Sequence, residues 1–296
     1  MRPEELRGVF SPLATPFTST GEVDDEAFQQ DVEYCLSKGV HGISVTGTTG
    51  EGVMLTPEEH GRVCRLAVEQ VQGRVPVFSG VIADSTRQAV HLCRLARDAG
   101  ANGVMVAPVH YHHNPTEDGM FEYFNTVWEK VGLPIVIYNV IPTAYVREQL
   151  ALRLAEIPGL IGIKQSLWDF AQLNRTLYAA GDRLAIMTAV DELVFPSLMI
   201  GTHGVYAAIA TTLPGHCVEL YNHVRANRIE EARNLHWTIS IVARATSVET
   251  VNFPVALKYA LELQGRRMGT VRSPLTPLDE AGKAKVRRAL ESAGII

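Results

Sequence analysis

The feature that most restricts the fold of this chain is an alternation. Short β-rich runs begin near Gly8, Gly42, Pro76, Gly103, Pro134, Leu160, Leu184 and Gly204, and longer amphipathic runs such as "DDEAFQQDVEYCLSKG" and "STRQAVHLCRLARDAG" separate them. A strand followed by a helix-period run, repeated, is the pattern of parallel strands covered by helices. Eight such units predict a closed (β/α)8 barrel. An open doubly wound sheet would use fewer strands and carry a dinucleotide or phosphate loop. Thr56-Pro57-Glu58-Glu59 reads as a capping box with proline at the first helical position, and Ser85 with Gln88 repeats the box. Gly39, Gly100, Gly132 and Gly181 are placed to close helices in the left-handed conformation. After about Gly215 the strand signals stop. "HCVELYNHVRANRIEEARNLHWTISIVARAT", "FPVALKYALELQG" and "LDEAGKAKVRRALESAG" read as helices, the first containing the eighth barrel helix. The expected organisation is a barrel over residues 1–224 and a C-terminal helical extension over 225–296.

A net charge of −5, with no run rich in lysine and arginine, argues against a nucleic-acid surface. The opening "MRPEELRGVF" has no apolar signal-like core, and no segment approaches the roughly 18 uninterrupted apolar residues of a membrane span. A soluble cytoplasmic protein is the expectation. Cys35, Cys64, Cys93 and Cys217 form no C-x-x-C pair. Each falls in a helix-like stretch, where cysteine packs as a small hydrophobe.

One side chain does not fit a purely structural account. Five of the six lysines (Lys38, Lys130, Lys258, Lys283 and Lys285) lie in helices or at helix ends, whereas Lys164 ends the β-like run "LIGIK". If Ile161 and Ile163 face the helices, Gly162 and Lys164 face the barrel interior, near the end where barrel chemistry collects. An ammonium there is costly unless it is paired or gives up its proton. A neutral amine is a nucleophile toward a carbonyl and forms a Schiff base. The other reading is a structural ion pair, with Glu51 as partner. Position alone leaves both open.

Two further stretches bear on that choice. In "PIVIYNV", Tyr138 stands near its strand end, able to move protons or simply to fill the core. In "VTGTTGEG", Gly47, Thr48, Thr49 and Gly50 form a turn whose amides and hydroxyls suit a carboxylate. It is not a nucleotide loop, since neither G-x-G-x-x-G nor GK[ST] is present.

Taken together, "GVFSPLATPF", "GTTGEG" with "LTPEEH", "AGANGVMVAP", "IVIYNV", "GIKQS" and "GTHGVYAA" resemble, in order and over nearly the whole chain, the pyruvate-dependent class I aldolases of the dihydrodipicolinate synthase/N-acetylneuraminate lyase group. The resemblance implies a (β/α)8 barrel with a C-terminal helical extension, assembled as a homotetramer of paired dimers. It implies that Lys164 forms the Schiff base with pyruvate or another 2-oxo acid, and that Tyr138 gives and takes the proton. Gly47, Thr48, Thr49 and Val205 would contact the substrate. Thr48 would also join a relay with a neighbouring subunit's tyrosine, for which Tyr111 is the candidate, and Glu51 would support the site. The partner substrate would be an aldehyde, with no added cofactor and no metal, although His110, His112 and His113 lie close in sequence. The match departs on the aldehyde side. "YNVIPTAYVREQ" has no arginine before Arg147, "APVHYHHNP" replaces paired tyrosines, and "TAVDELVFP" lacks a glycine pattern. A generic aldolase therefore ranks above 4-hydroxy-tetrahydrodipicolinate synthase itself. A 2-keto-3-deoxy sugar acid dehydratase or aldolase and a non-catalytic 2-oxo acid binding protein are the alternatives.

Overall fold

In the computed structural model, which describes residues 1–111, 115–248 and 253–296, eight parallel strands close into one barrel in chain order. They are β1 (Gly8–Pro12), β2 (Gly42–Val45), β3 (Val77–Val81), β4 (Gly103–Val106), β5 (Ile135–Asn139), β6 (Leu160–Gln165), β7 (Ala185–Thr188) and β8 (Gly204–Val205). Each begins within one residue of the position expected from the sequence. Helices α1 (Asp25–Ser37), α2 (Pro57–Val71), α3 (Thr86–Asp98), α4 (Glu117–Val131), α5 (Glu148–Leu154), α6 (Phe170–Ala180) and α7 (Val194–Met199) follow the first seven strands, and α8 (Ile209–Thr212) and α9 (Pro214–Arg225) follow the eighth. The remaining helices are α10 (Ile229–Ala243), α11 (Phe253–Leu263) and α12 (Glu280–Ser292).

Local chemistry explains most of these limits. Thr56 and Glu59 form the expected reciprocal capping box at α2. Ser85 caps α3 by accepting from the Gln88 amide, but the Gln88 side chain accepts from Asp84 N instead of completing a box. Gly39, Gly100 and Gly132 take positive φ, whereas Gly181 closes α6 in ordinary right-handed geometry with φ −70°. The long helical run after Gly215 is not one helix. It breaks between α9 and α10 at Asn227, whose φ of 57° an asparagine tolerates better than most residues.

The strands sort their side chains by alternation. Phe10, Phe78, Met105, Val136, Tyr138, Met187 and Tyr206 pack together inside the barrel, while Ile43, Val45, Val104, Ile137 and Ile163 join the layer beneath the helices. The interior has room for two phenylalanines because the neighbouring strand offers glycine. A Cβ on Gly42 would lie 2.2 Å from the Phe10 ring, and one on Gly103 would lie 2.4 Å from that of Phe78. On β6 the alternation is interrupted. Leu160 pairs with Ile135 and Gly162 with Val136, so Ile161 is an extra residue. This bulge turns Ile161 inward while Ile163 faces the helices, so the two isoleucines do not share a face. Lys164, next after Ile163, still faces the interior. The space beside Gly162 is closed by Leu6 and by the Ala185 backbone.

Helices α10–α12 share an apolar cluster with the barrel exterior, where Val9, Val205, Cys217, Leu220, Ile239, Val242, Ala256, Val286 and Leu290 are in one packed group. All four cysteines are buried and free, as packing residues would be. No helix among the described residues is long and apolar enough to cross a membrane. Among the glycines within the strands, the tightest backbone approach is at Gly204, where a Cβ would fall 2.0 Å from the Gly8 carbonyl oxygen. A carbonyl in a strand ladder cannot rotate away. Gly204→Ala is therefore expected to cost about 3 kcal/mol, read as a lower urea midpoint with an unchanged slope.

Candidate active site

Lys164 ends β6 on the inside of the barrel and is 6% exposed. Among the described residues it makes neither a hydrogen bond nor an ion pair. Its amino group lies over two aromatic faces, 4.3 Å from the centre of the Tyr138 ring and 4.9 Å from that of Tyr206. Burial lowers its pKa from the ordinary lysine value to about 7, and the attraction of Asp191 opposes that fall. A substantial share of the amine is therefore neutral near pH 7.

Tyr138, one strand away on β5, is paired in register with Lys164. Its hydroxyl is 3.0 Å from Thr48 Oγ1. Burial raises the phenol pKa, and the bond to Thr48 works against that rise, so the proton stays on the oxygen at neutral pH. Thr48 and Thr49 lie in the turn after β2, which is framed by two residues at positive φ, Thr46 (57°) and Glu51 (54°). Within it, the amides of Gly50 and Gly52 both donate to Gly47 O, and the Glu51 amide donates to Thr48 O. The amides of Thr48 and Thr49 have no partner among the described residues. Two free N–H groups and a hydroxyl at a tight turn make an anion-binding concavity.

These groups open on one cavity of about 350 Å³, lined by Thr48, Thr49, Tyr138, Lys164, Asp191 and Ser247 together with Val140, Ser166, Trp168, Ala189, Val190, Ala208 and Phe253. Three of the first six were expected from the sequence as catalytic residues, and Thr49 as a substrate contact. Asp191 and Ser247 were not. Asp191 follows β7, accepts from Ser247 Oγ at 2.6 Å and from Ile209 N at 3.0 Å, and its pKa is raised by burial. Ser247 arrives from a π-helical turn, Arg244–Val248, that follows α10. Such turns often mark functional sites, but no sequence signal announces this one.

Other expected residues are elsewhere. Val205 turns outward into the cluster beneath α9 and α10, because alternation on β8 gives the interior to Tyr206; Ala208 is the residue from that loop that lines the cavity. Gly47 supports the turn without lining the cavity. Tyr111 is 73% exposed, with its amide on Asp84. His110 Nδ1 is 3.2 Å from Asp84, and His112 and His113 lie outside the described residues. No group of three potential metal ligands occurs among the described residues. Arg147 begins α5 outside the cavity, 3.5 Å from Gln172.

Glu51 is not the partner of Lys164. Its carboxylate meets Lys258 of α11 at 2.5 Å and accepts from the Arg272 amide at 3.0 Å. The Arg272 guanidinium in turn holds Glu59, Gly21 O and Met54 O. The turn that carries Thr48 and Thr49 is thus tied from behind to the C-terminal helices through a buried ion pair.

Removing one member of a buried pair leaves an unpaired charge, so Lys258→Met is expected to destabilise by about 3–5 kcal/mol. Adding Glu51→Gln should restore most of that loss in urea unfolding. Burial lowers the pKa of both buried lysines, and for Lys164 this has a pH signature. Between pH 7 and 10.5 the unfolded chain holds a proton on Lys164 that the folded chain does not, so this group makes stability rise with pH across that window, and its penalty is complete below it. Lys164→Met should therefore raise the melting temperature at pH 6 and give no gain near pH 10.5.

Comparison with known proteins agrees with this geometry. The profile of the Dihydrodipicolinate synthetase family matches residues 5–293. A 4-hydroxy-tetrahydrodipicolinate synthase from Nitratidesulfovibrio vulgaris, strain Miyazaki F, is 35% identical over 99% of this chain and 100% of its own length. The crystal structure of dihydrodipicolinate synthase from Aquifex aeolicus superposes with a TM-score of 0.92 at 30% identity, covering 98% of this chain and 99% of that one. A prophage protein of the dihydrodipicolinic acid synthase family from E. coli, solved in complex with pyruvate, superposes with a TM-score of 0.93 at 27% identity over 98% and 99% of the two chains. With the barrel, the interior lysine and the threonine turn, these matches show that the chain belongs to the dihydrodipicolinate synthetase family and is a carbon–carbon lyase or synthase of that kind.

Proposed function

We propose that this enzyme is a class I aldolase in which Lys164 forms a Schiff base with pyruvate, or another 2-oxo acid, and joins it to or releases it from an aldehyde. The observation that carries the reading is a buried lysine with no ion pair, its pKa lowered to about 7 by burial, at the end of a barrel strand. The substrate carboxylate sits on the free amides of Thr48 and Thr49. The neutral amine attacks C2. The ketone oxygen leaves as water with one amine hydrogen and one proton delivered by Tyr138, and a C=N⁺ bond replaces C=O. The iminium then draws electrons from C3, whose proton passes to the Tyr138 phenolate and so restores the phenol, leaving the enamine that attacks the aldehyde carbon. Tyr138, relayed through Thr48 at 3.0 Å, supplies the proton to the new alkoxide.

The aldehyde faces Trp168, Val140, Asp191, Ser166 and Ser247, with no arginine among the described lining residues. That lining favours a general aldolase over an enzyme dedicated to an aldehyde bearing a second carboxylate. We also read the enzyme as a cytoplasmic homotetramer built from paired dimers. Exposure of Tyr111 suits a residue that reaches the relay of a neighbouring subunit.

Borohydride reduction in the presence of pyruvate should leave a stable adduct on the peptide containing Lys164, absent from Lys164→Ala. A folded protein without adduct would move the 2-oxo acid binding reading to the front. Tyr138→Phe should still trap pyruvate yet lose about 10²- to 10⁴-fold in turnover, measured by release or consumption of pyruvate with a panel of aldehydes.

A further inference from the structure

Tyr206 is the largest fully buried side chain among the described residues, and the Schiff-base reaction makes no use of it. It follows β8 and points into the barrel, and its ring stacks on Phe10 with centroids 5.3 Å apart and planes tilted by 30°. Phe10 is itself held edge-on by Phe78 at 5.9 Å. Its hydroxyl is buried, and the polar side chain that acts on it is Ser44. That contact accounts for the hydroxyl and leaves the placement of the ring unexplained. The ring has a clear neighbour. Its centre is 4.9 Å from Lys164 Nζ, and the Tyr138 ring is 4.3 Å from the same atom.

We propose that Tyr206 is a positioning residue of the reaction, the second wall of an aromatic clamp that holds the nitrogen of Lys164 and stabilises the positive charge carried by the iminium. Resting on the Schiff-base reading, the idea concerns how a cationic intermediate survives in an apolar barrel. Tyr138 has to give up and recover a proton during turnover, so its ring electron density changes as the reaction proceeds. Tyr206, walled in by Phe10 and deeply buried, keeps a constant face toward the nitrogen. Burial raises its pKa, which keeps the phenol neutral. The charged and titratable groups around the nitrogen are then Asp191 from the loop after β7, Tyr138 from β5, and Tyr206, with Thr48 bonded to Tyr138. Asp191 already accepts two hydrogen bonds, from Ser247 and Ile209, which leaves the ring faces as close-range support for the cation.

An aromatic face stabilises ammonium and iminium alike relative to the neutral amine. Weakening the face should therefore lower the pKa of Lys164 and, at pH values above it, loosen the pyruvate adduct. Replacing residue 206 by phenylalanine and then by ring-fluorinated phenylalanines alters the π face with little change in shape, so folding is preserved. The pKa is read without pyruvate, from the pH dependence of reductive methylation of Lys164 by formaldehyde. Adduct affinity is read by borohydride trapping across a pyruvate titration at pH 9. Tyr206→Phe should match the parent in both. Progressive fluorination should shift the methylation profile to lower pH and weaken the pyruvate adduct by about two- to thirtyfold, stepwise with fluorine number. Flat responses across the series, or a loss already complete in Tyr206→Phe, would overturn the clamp. A pKa that tracks fluorination while no adduct forms in the parent would keep the ring contact as real but refute the aldolase role on which the proposal rests.

Discussion

The rest of the site depends on one unfavourable placement, a lysine buried in a barrel mouth with no carboxylate in contact. Water would hold that amine as an ammonium at neutral pH. The barrel instead brings its pKa to about 7, so a neutral amine is available at the end of the barrel strand. The neighbouring groups are arranged around this fact. Tyr138 remains a neutral acid because it too is buried, the turn offers N–H groups rather than a second cation, and aromatic faces line the nitrogen on two sides.

A second buried lysine shows how different the outcome is when a partner is supplied. Lys258 has a carboxylate at 2.5 Å and a carbonyl, Thr270 O, at 2.9 Å. It ties the C-terminal helices to the turn that presents Thr48. One residue type is thus left unpaired with a lowered pKa in one place and serves as a fastener in another. The difference lies in whether a carboxylate comes within reach, which neither the identity of the residue nor its burial determines.

Much of this was legible in the sequence, because it is written in local periodicity. The repeat located every strand to within one residue, and alternation from Ile163 put Lys164 on the interior face, although its companion premise, Ile161 on the outer face, failed. What was not legible depends on residues distant in sequence or on departures from regular geometry. The bulge at Ile161 reverses one side chain, and although the adjacent Gly162 is the residue type that often marks a bulge, plain alternation was read through it. Val205 follows the same alternation but was expected at the substrate, and only the neighbouring strands show that Tyr206 has the interior. Glu51 was a candidate partner for Lys164 until α11 placed Lys258 against it. Asp191 and Ser247 meet across 56 residues, through a π-helical turn whose composition is unremarkable. Asn227 divides two helices that read as one, since a single residue at positive φ leaves the apolar pattern on either side intact.

The burial of Lys164 has a consequence for the chain before it is folded. An extended nascent polypeptide keeps this amine in water, where it is protonated like any other lysine and inert toward the carbonyl compounds of its surroundings. The residues that create its environment are spread along the chain, from Thr48 to Ser247 and Phe253, so the lowered pKa belongs to the assembled barrel and not to any one segment. A neutral amine at this position near pH 7 is therefore a mark of the folded state, which the nascent chain lacks.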